Sequence, residues 1–254
     1  MNEKCLAGSQ KAADEITQLT DEYNNQIAGG KWRYMMSANP RVQVDLGLPK
    51  NPVAQGETTM ATNDDPAVAI VPGADFVEKN NQVIMVAAHA SAIVPGHDAH
   101  WQKIDGLGYN GVAVTIFPAT VPIHAMPEDI RTESPCLKFN IGFRTPGEWK
   151  FIVRALPTFS IETGKPQRFA ISLDDNSPQV VSLPASLSEG NRVWQENVLR
   201  NAALTATTNT VPTSGLHTLK IWMVDPGIVI DSVAAENGDD QKLGYLWPEE
   251  TASR

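Results

Sequence analysis

Four pairs of adjacent acids, Glu128 and Asp129, Asp174 and Asp175, Asp239 and Asp240, and Glu249 and Glu250, are the first residues in this sequence whose types could do acid–base work. Cleaving a glycosidic bond takes two carboxyl groups facing each other across it, about 5 to 9.5 Å apart. Side chains of neighbours in extended chain diverge instead. Each pair lies in a turn-like context and reads as a solvated loop, so no residue is assigned a catalytic role.

The run "GHDAHW" sets His97, Asp98, His100 and Trp101 together. Imidazole beside carboxylate can bind a metal or move a proton. A zinc motif needs further ligands at a recognisable spacing, and neither an HExxH motif nor a pair of close cysteines is present. The run reads as a polar loop beside a core-anchoring tryptophan, with ligand contact as its functional alternative. His89, among Ala87, Ala88 and Ala90, and His217, at the head of a strand, read as satisfied core histidines. Ser91 and Ser214 lack any nucleophile context, so a hydrolytic triad is not supported. "DGLGYNG" carries Gly106, Gly108 and Gly111 without the strand, loop and helix order of a phosphate cradle, and reads as a β-turn. "DDNSP", Asp174 to Pro178, has oxygens for calcium but equally suits a turn between strands. No metal site and no cofactor are expected.

Six tryptophans remain, Trp32, Trp101, Trp149, Trp194, Trp222 and Trp247, and aromatic faces stack on sugar rings as readily as on a core. Trp149 belongs to an apolar strand face. Trp222 has the opposite parity from Leu219, Ile221 and Met223, so in a regular strand it faces away from them, towards an interface, a sugar or a second apolar layer. His97, His100, Trp101 and Trp222 are the binding candidates.

Composition narrows the partners. The formal net charge is -9 across 254 residues, and no cluster of Lys and Arg offers a footprint for a phosphate backbone, so nucleic acid is not an expected partner. Cys5 and Cys136 stand too far apart in sequence to suggest a disulfide framework or a zinc site. No run approaches the roughly 20 apolar residues of a membrane span, and "MNEKCLAGSQKAADE" lacks the apolar core of a signal peptide. No membrane partner and no export address are expected from these residues. A place outside the cytoplasm, extracellular or periplasmic, follows only if it is part of a secreted enzyme.

These residues are positioned by two unlike kinds of sequence. Ala12, Ile16, Leu19, Tyr23 and Ile27 fall on one face of a helix that Gly29 and Gly30 end. A lone helix cannot bury such a stripe against itself and needs a partner. Residues 1–40 are accordingly a helical segment, and residues 41–65, rich in turn formers, a linker. From about Val68 the period changes to two. Leu137, Phe139, Ile141 and Phe143 alternate with polar or small residues, "TPGE" supplies a turn, and Trp149, Phe151 and Val153 follow, which together read as a hairpin. Further strands are expected at "QVIMVAAHA", "VAVTIF", "RFAISLDD", "QVVSL", "HTLKIWMV" and "IVIDSVAAE". The expected fold is mainly β: an antiparallel β-sandwich, jelly-roll or galactose-binding-like, over residues 66–254, preceded by the N-terminal helical segment.

Several segments in order, "YNNQIAGGKWRYMM", "WQKIDGLGYNGVAVTIFPAT", "SPCLKFNIGFRTPGEWKFIVRALPT", "RFAISLDDNSPQVVSL", "WQENVLRN" and "GLHTLKIWMVDPGIVID", together resemble the C-terminal part of glycoside hydrolase family 115 α-glucuronidases. The closing "YLWPEE" resembles that family's Tyr-Leu-Gly-Pro-Pro-Glu ending, with Trp247 where the family has glycine. The resemblance implies an enzyme that removes α-1,2-linked glucuronic acid, or its 4-O-methyl form, from xylan with inversion. It places the catalytic carboxylates in an upstream barrel that has no counterpart here. The helix then reads as the end of a helical domain, and the sandwich as a noncatalytic accessory domain supporting the barrel, subunit contacts or access to polysaccharide. A free-standing carbohydrate-binding module for plant polysaccharide is the alternative. Expected partners are the barrel or another subunit, and xylan.

Overall fold

The computed structural model describes residues 3–31, 71–124, 126–161, 164–184, 190–238, 243 and 247–253. The expected linker 41–65, the turn holding Trp32, and Asp239 and Asp240 lie outside them. Two compact units divide the chain, residues 1–67 and 68–254.

In the first unit helix α1 spans Glu3–Asp21 and runs on through a wider turn, Glu22–Gln26. Positive φ at Ala28 and Gly29 ends it, a conformation that glycine adopts at little steric cost. Of the apolar stripe, Ile16 (53% exposed), Leu19 (56%) and Ile27 (45%) stand open to solvent. No helix among the described residues is long and apolar enough to cross a membrane.

The second unit is a sandwich. Its elements in chain order are β1 (Phe76–Val77), β2 (Gln82–Val86), β3 (Ala92–Val94), β4 (His100–Asp105), β5 (Val112–Phe117), α2 (Pro127–Glu133), β6 (Cys136–Phe143), β7 (Gly147–Ala155), β8 (Arg168–Leu173), β9 (Gln179–Ser182), α3 (Arg192–Leu199), β10 (Ala203–Val211), β11 (Gly215–Met223) and β12 (Val229–Glu236). One sheet has the order β1-β6-β11-β8-β9, with β3 also on β6; the other has the order β10-β7-β12-β5-β4, with β2 also on β12. Pairing is antiparallel except where β1 runs parallel to β6. Alternation then sends one set of side chains inward. Leu137, Phe139, Ile141 and Phe143 of β6 and Leu219, Ile221 and Met223 of β11 join Trp149, Phe151 and Val153 of β7 in one buried core. Each large side chain taken from water there contributes about 1.5–3 kcal/mol.

The expected hairpin of β6 and β7 is not formed. β6 pairs with β11, whereas β7 pairs with β10 and β12 in the other sheet. The connection arches over the core, so that the rings of Phe143 and Trp149 meet edge to face with centroids 4.7 Å apart. Glu78, buried, holds the arch: one carboxylate oxygen accepts the N–H groups of Arg144 (2.6 Å) and Thr145 (2.9 Å), and the other accepts the Thr145 hydroxyl. Alternation tells which side chains point inward but not which strand lies alongside, and facing sheets satisfy it as well as paired strands do.

β10 is also absent from the strands expected from sequence, because its inward positions are Thr205, Thr207 and Asn209 between Ala203 and Val211. Glu128 and Asp129 occupy the first turn of α2 rather than an extended loop.

Candidate functional site

His97 lies exposed in the loop between β3 and β4, with Nδ1 3.0 Å from Asp98 Oδ1. The hydrogen bond that His97 donates to Asp98, then the charges of Asp98 and Glu133, raise the His97 pKa above the usual 6.5. The backbone N–H of His97 donates to Glu133 at the end of α2 (2.9 Å), which fixes the loop. His100 begins β4, exposed and opposite Phe117 of β5. Trp101 follows with inward parity: it is 3% exposed, and its Nε1 donates to the carbonyl of Pro135. Its ring is part of the core and presents no open face. Trp222 points away from that core, as its parity implies. It is half-buried beside Ile123, Ile130, Ala170 and Val224, with Nε1 3.3 Å from Ser172 Oγ. The fold thus keeps His97, His100 and Trp101 on one loop and strand and puts Trp222 on the outer face of the opposite sheet.

The two histidines read as core residues part company. His217 is buried, with Nδ1 2.7 Å from Asp174 Oδ2 and Nε2 2.8 Å from the carbonyl of Thr213. His89 is exposed, because the chain leaves β2 in a short turn there that carries the ring out of the core; its Nδ1 meets Glu250 Oε2 at 2.8 Å. Asp174 also accepts the N–H of Thr218, and Asp175 pairs with Lys220 Nζ at 3.1 Å, so the acids of "DDNSP" are bonded to the protein. No group of three or more His, Cys, Asp or Glu among the described residues is placed to hold a metal ion. Cys136 is buried, and desolvation pushes its thiol up to about 12.

Three of the depressions that the described residues form lie on the sandwich as follows. A groove of about 470 Å³ beside the C-terminal tail is lined by Asp75, His89, Ser91 and Glu250. A hollow of about 320 Å³ over the outer face of the second sheet is lined by Lys150, Ile152, Leu204 and Glu236. The largest of these, about 540 Å³, lies on the flank where β9 and β10 end their sheets, lined by Glu148, Asn176, Gln179, Thr208, Asn209 and Thr210 among others. Of these six, only Asn176 lies in a stretch that stands out in sequence, "DDNSP". The available signal is in "TATTNTV", where polar residues recur with period two at positions a sandwich core fills with aliphatic ones.

Amides, hydroxyls and one carboxylate on a concave surface can pair with groups that both donate and accept, as alcohols do.

A family model described as the glycosyl hydrolase family 115 C-terminal domain matches residues 75–250. No curated protein matches the chain. Among solved structures, a family GH115 4-O-methyl-α-glucuronidase, BtGH115A, with specificity for decorated arabinogalactans is similar at 24% identity and a TM-score of 0.54. The likeness covers 91% of this chain and 25% of that one, so the chain spans a quarter of that enzyme's length and shares its fold there. The C-terminal CBM6 module of LamC, a marine laminarinase from Zobellia galactanivorans, is similar over 62% of this chain and 100% of its own, at 16% identity and a TM-score of 0.41. A family 35 carbohydrate-binding module from Clostridium thermocellum is similar over 61% of this chain and 96% of its own, at 12% identity and a TM-score of 0.38. On the match across residues 75–250, the chain belongs to glycosyl hydrolase family 115, whose C-terminal domain it carries.

Proposed function

We propose that this chain is the noncatalytic accessory region of a xylan α-1,2-glucuronidase, an enzyme that removes glucuronic acid or 4-O-methylglucuronic acid from xylan. Its role is to support the catalytic barrel, to mediate subunit contacts or to shape access to the decorated polysaccharide. The observation that carries this reading is the match of residues 75–250 to a domain defined by its place at the C-terminus of such hydrolases. The exposed apolar side chains of Ile16 and Leu19 on α1, and of Ile27 just beyond it, support it, because an apolar helix face of this kind is stabilised by another helix or another chain.

Co-expression with the barrel of a family 115 glucuronidase tests the reading. Co-purification, together with faster release of glucuronic acid from glucuronoxylan than by the barrel alone, is the expected result. A barrel that neither retains the chain nor changes its rate in its presence would sink the proposal.

A second reading, a free-standing module for plant polysaccharide, is favoured by the polar flank cleft. Retardation of the isolated chain in a native gel cast with glucuronoxylan, with no effect on any barrel, is what it requires.

A further inference from the structure

We infer that the flank cleft between β9 and β10 is a binding subsite for a neutral sugar residue of a polysaccharide backbone, anchored by the side-chain amide of Asn209. The inference rests on the reading that this domain meets polysaccharide, and adds where and through which groups it does so.

β9 and β10 each close one sheet, so the sandwich is open along this flank. The inward positions of β10 include Thr205, Thr207 and Asn209, where β6, β7 and β11 place Phe, Trp, Leu and Ile, and of these three Asn209 lines the cleft. Within the protein Thr205 Oγ1, Thr207 Oγ1 and Asn209 Nδ2 are buried without a hydrogen-bond partner. Asn209 is only 8% exposed, and its other amide atom, Oδ1, meets Gln179 Nε2 at 3.5 Å, the outer limit of a hydrogen bond. Turning the amide over would exchange the two atoms and still leave one end unpaired. A buried amide in this state lowers stability unless a group outside the protein bonds to it. Valine would suit the position better if packing were its only task.

The lining selects the ligand. Gln179, Asn176, Ser177, Thr208 and Thr210 offer amides and hydroxyls, and Glu148 an acceptor. Sugar hydroxyls, each donor and acceptor, pair with such groups. No cation and no aromatic ring is among the lining residues, so a glucuronate carboxylate would meet Glu148 without a counter-charge. The backbone sugar is favoured over its acidic substituent. A volume of about 540 Å³ lies within the range of small-ligand sites. The free edge of β10 would also admit an added peptide strand, but specific strand addition uses pockets for alternate side chains, and the one apolar residue in this lining is Pro178.

Isothermal titration of the full chain with xylotetraose, and separately with β-1,3-galactotriose, tests the assignment and distinguishes a xylan from a galactan backbone. One of the two should bind, and glucuronic acid should bind at least tenfold more weakly. Asn209→Val should weaken that binding at least tenfold while its thermal midpoint stays level or rises, an outcome a purely structural asparagine would not produce. Gln179→Ala, at an exposed position, serves if Asn209→Val does not fold, and should weaken binding severalfold. If the unaltered chain binds a neutral oligosaccharide and the variants bind it equally well, the cleft assignment is overturned while polysaccharide contact stands. If neither oligosaccharide binds, the cleft assignment also falls, and the accessory role is then judged on the co-expression assay alone.

Discussion

Glu250 accepts the backbone N–H of Val86 through Oε1 at 2.7 Å, although 164 residues separate them in the chain. Its other oxygen meets His89, and the next residue, Thr251, exchanges hydrogen bonds with both backbone groups of Ile84. The carbonyl of Thr251 accepts from Val77 of β1, and Ala252 bridges Phe76. The tail therefore covers the outer edge of β2 in one sheet and ties it to β1 in the other. That arrangement protects an edge that would otherwise expose unpaired backbone groups.

Glu250→Ala leaves the N–H of Val86 without its acceptor and should cost about 1–3 kcal/mol in urea unfolding. Glu250→Gln keeps a carbonyl oxygen in place and should cost less. His89→Ala removes only the exposed half of the His89–Glu250 pair and should change stability by no more than about 1 kcal/mol. Equal losses for all three variants would show that the acceptor role of Glu250 is not what anchors the tail.

Asp231 and Arg154 are both buried, with Nε 3.4 Å from Oδ2, and Asp231 also accepts the N–H of Tyr109. The aspartate occupies the irregular position of β12 between Ile230 and Ser232, which turns it towards the arginine. Asp231→Ala should cost about 3–5 kcal/mol by removing the buried carboxylate that meets the guanidinium, and pairing it with Arg154→Met should restore part of that loss. Additive losses in the double variant, read from chemical denaturation, would argue against coupling. Gly108→Ala should also destabilise by more than about 1 kcal/mol, since φ is +77° and a Cβ would lie 2.2 Å from Asp231 Oδ1.

Cys136 is expected to resist iodoacetamide at pH 8 in the folded chain and to react once urea unfolds it. Burial favours the neutral thiol and raises its pKa from 9.0 to about 12, leaving on the order of one molecule in ten thousand as thiolate at pH 8. Because the folded value is the higher one, this contribution to stability is fully present below pH 9 and declines as pH rises towards 12, by about 1.4 kcal/mol per unit within that window. Rapid alkylation of the native chain at pH 8 would contradict the burial.

Trp101→Ala should cost about 3–5 kcal/mol because it empties a core position. Trp222→Ala, on a half-buried outer face, should cost less. If Trp222 touches polysaccharide as well as Ile130, its loss will lower retardation on glucuronoxylan gels while the thermal midpoint changes little. Unchanged mobility in that variant would confine Trp222 to packing.

Much of the sandwich is legible in the sequence because strand alternation is a local signal. Trp222 was assignable to the outer face from its parity with Leu219 and Ile221 alone, and the structure puts it there. The β6–β7 connection shows the limit: the same alternation fits a hairpin and an arch between sheets, and Glu78, far away in sequence, holds the arch. His89 shows another, since alanine neighbours suggest a core while the turn after β2 carries the ring outward. The flank cleft was hidden for a related reason. Thr205, Thr207 and Asn209 look like loop residues until β7 pairs with β10 and makes their positions inward-facing.

The sequence by itself determined the change of period near Val68, the helical face from Ala12 to Ile27 and the resemblance to family 115, because each is written in residues close together or in a fixed order. Only the tertiary structure decided which strands are neighbours, that Asn209 is buried with an unpaired amide end, and that the tail seals β2. Those relations join residues tens to more than a hundred positions apart. They depend on which surfaces meet when the two sheets close on one core, and no local pattern carries that information.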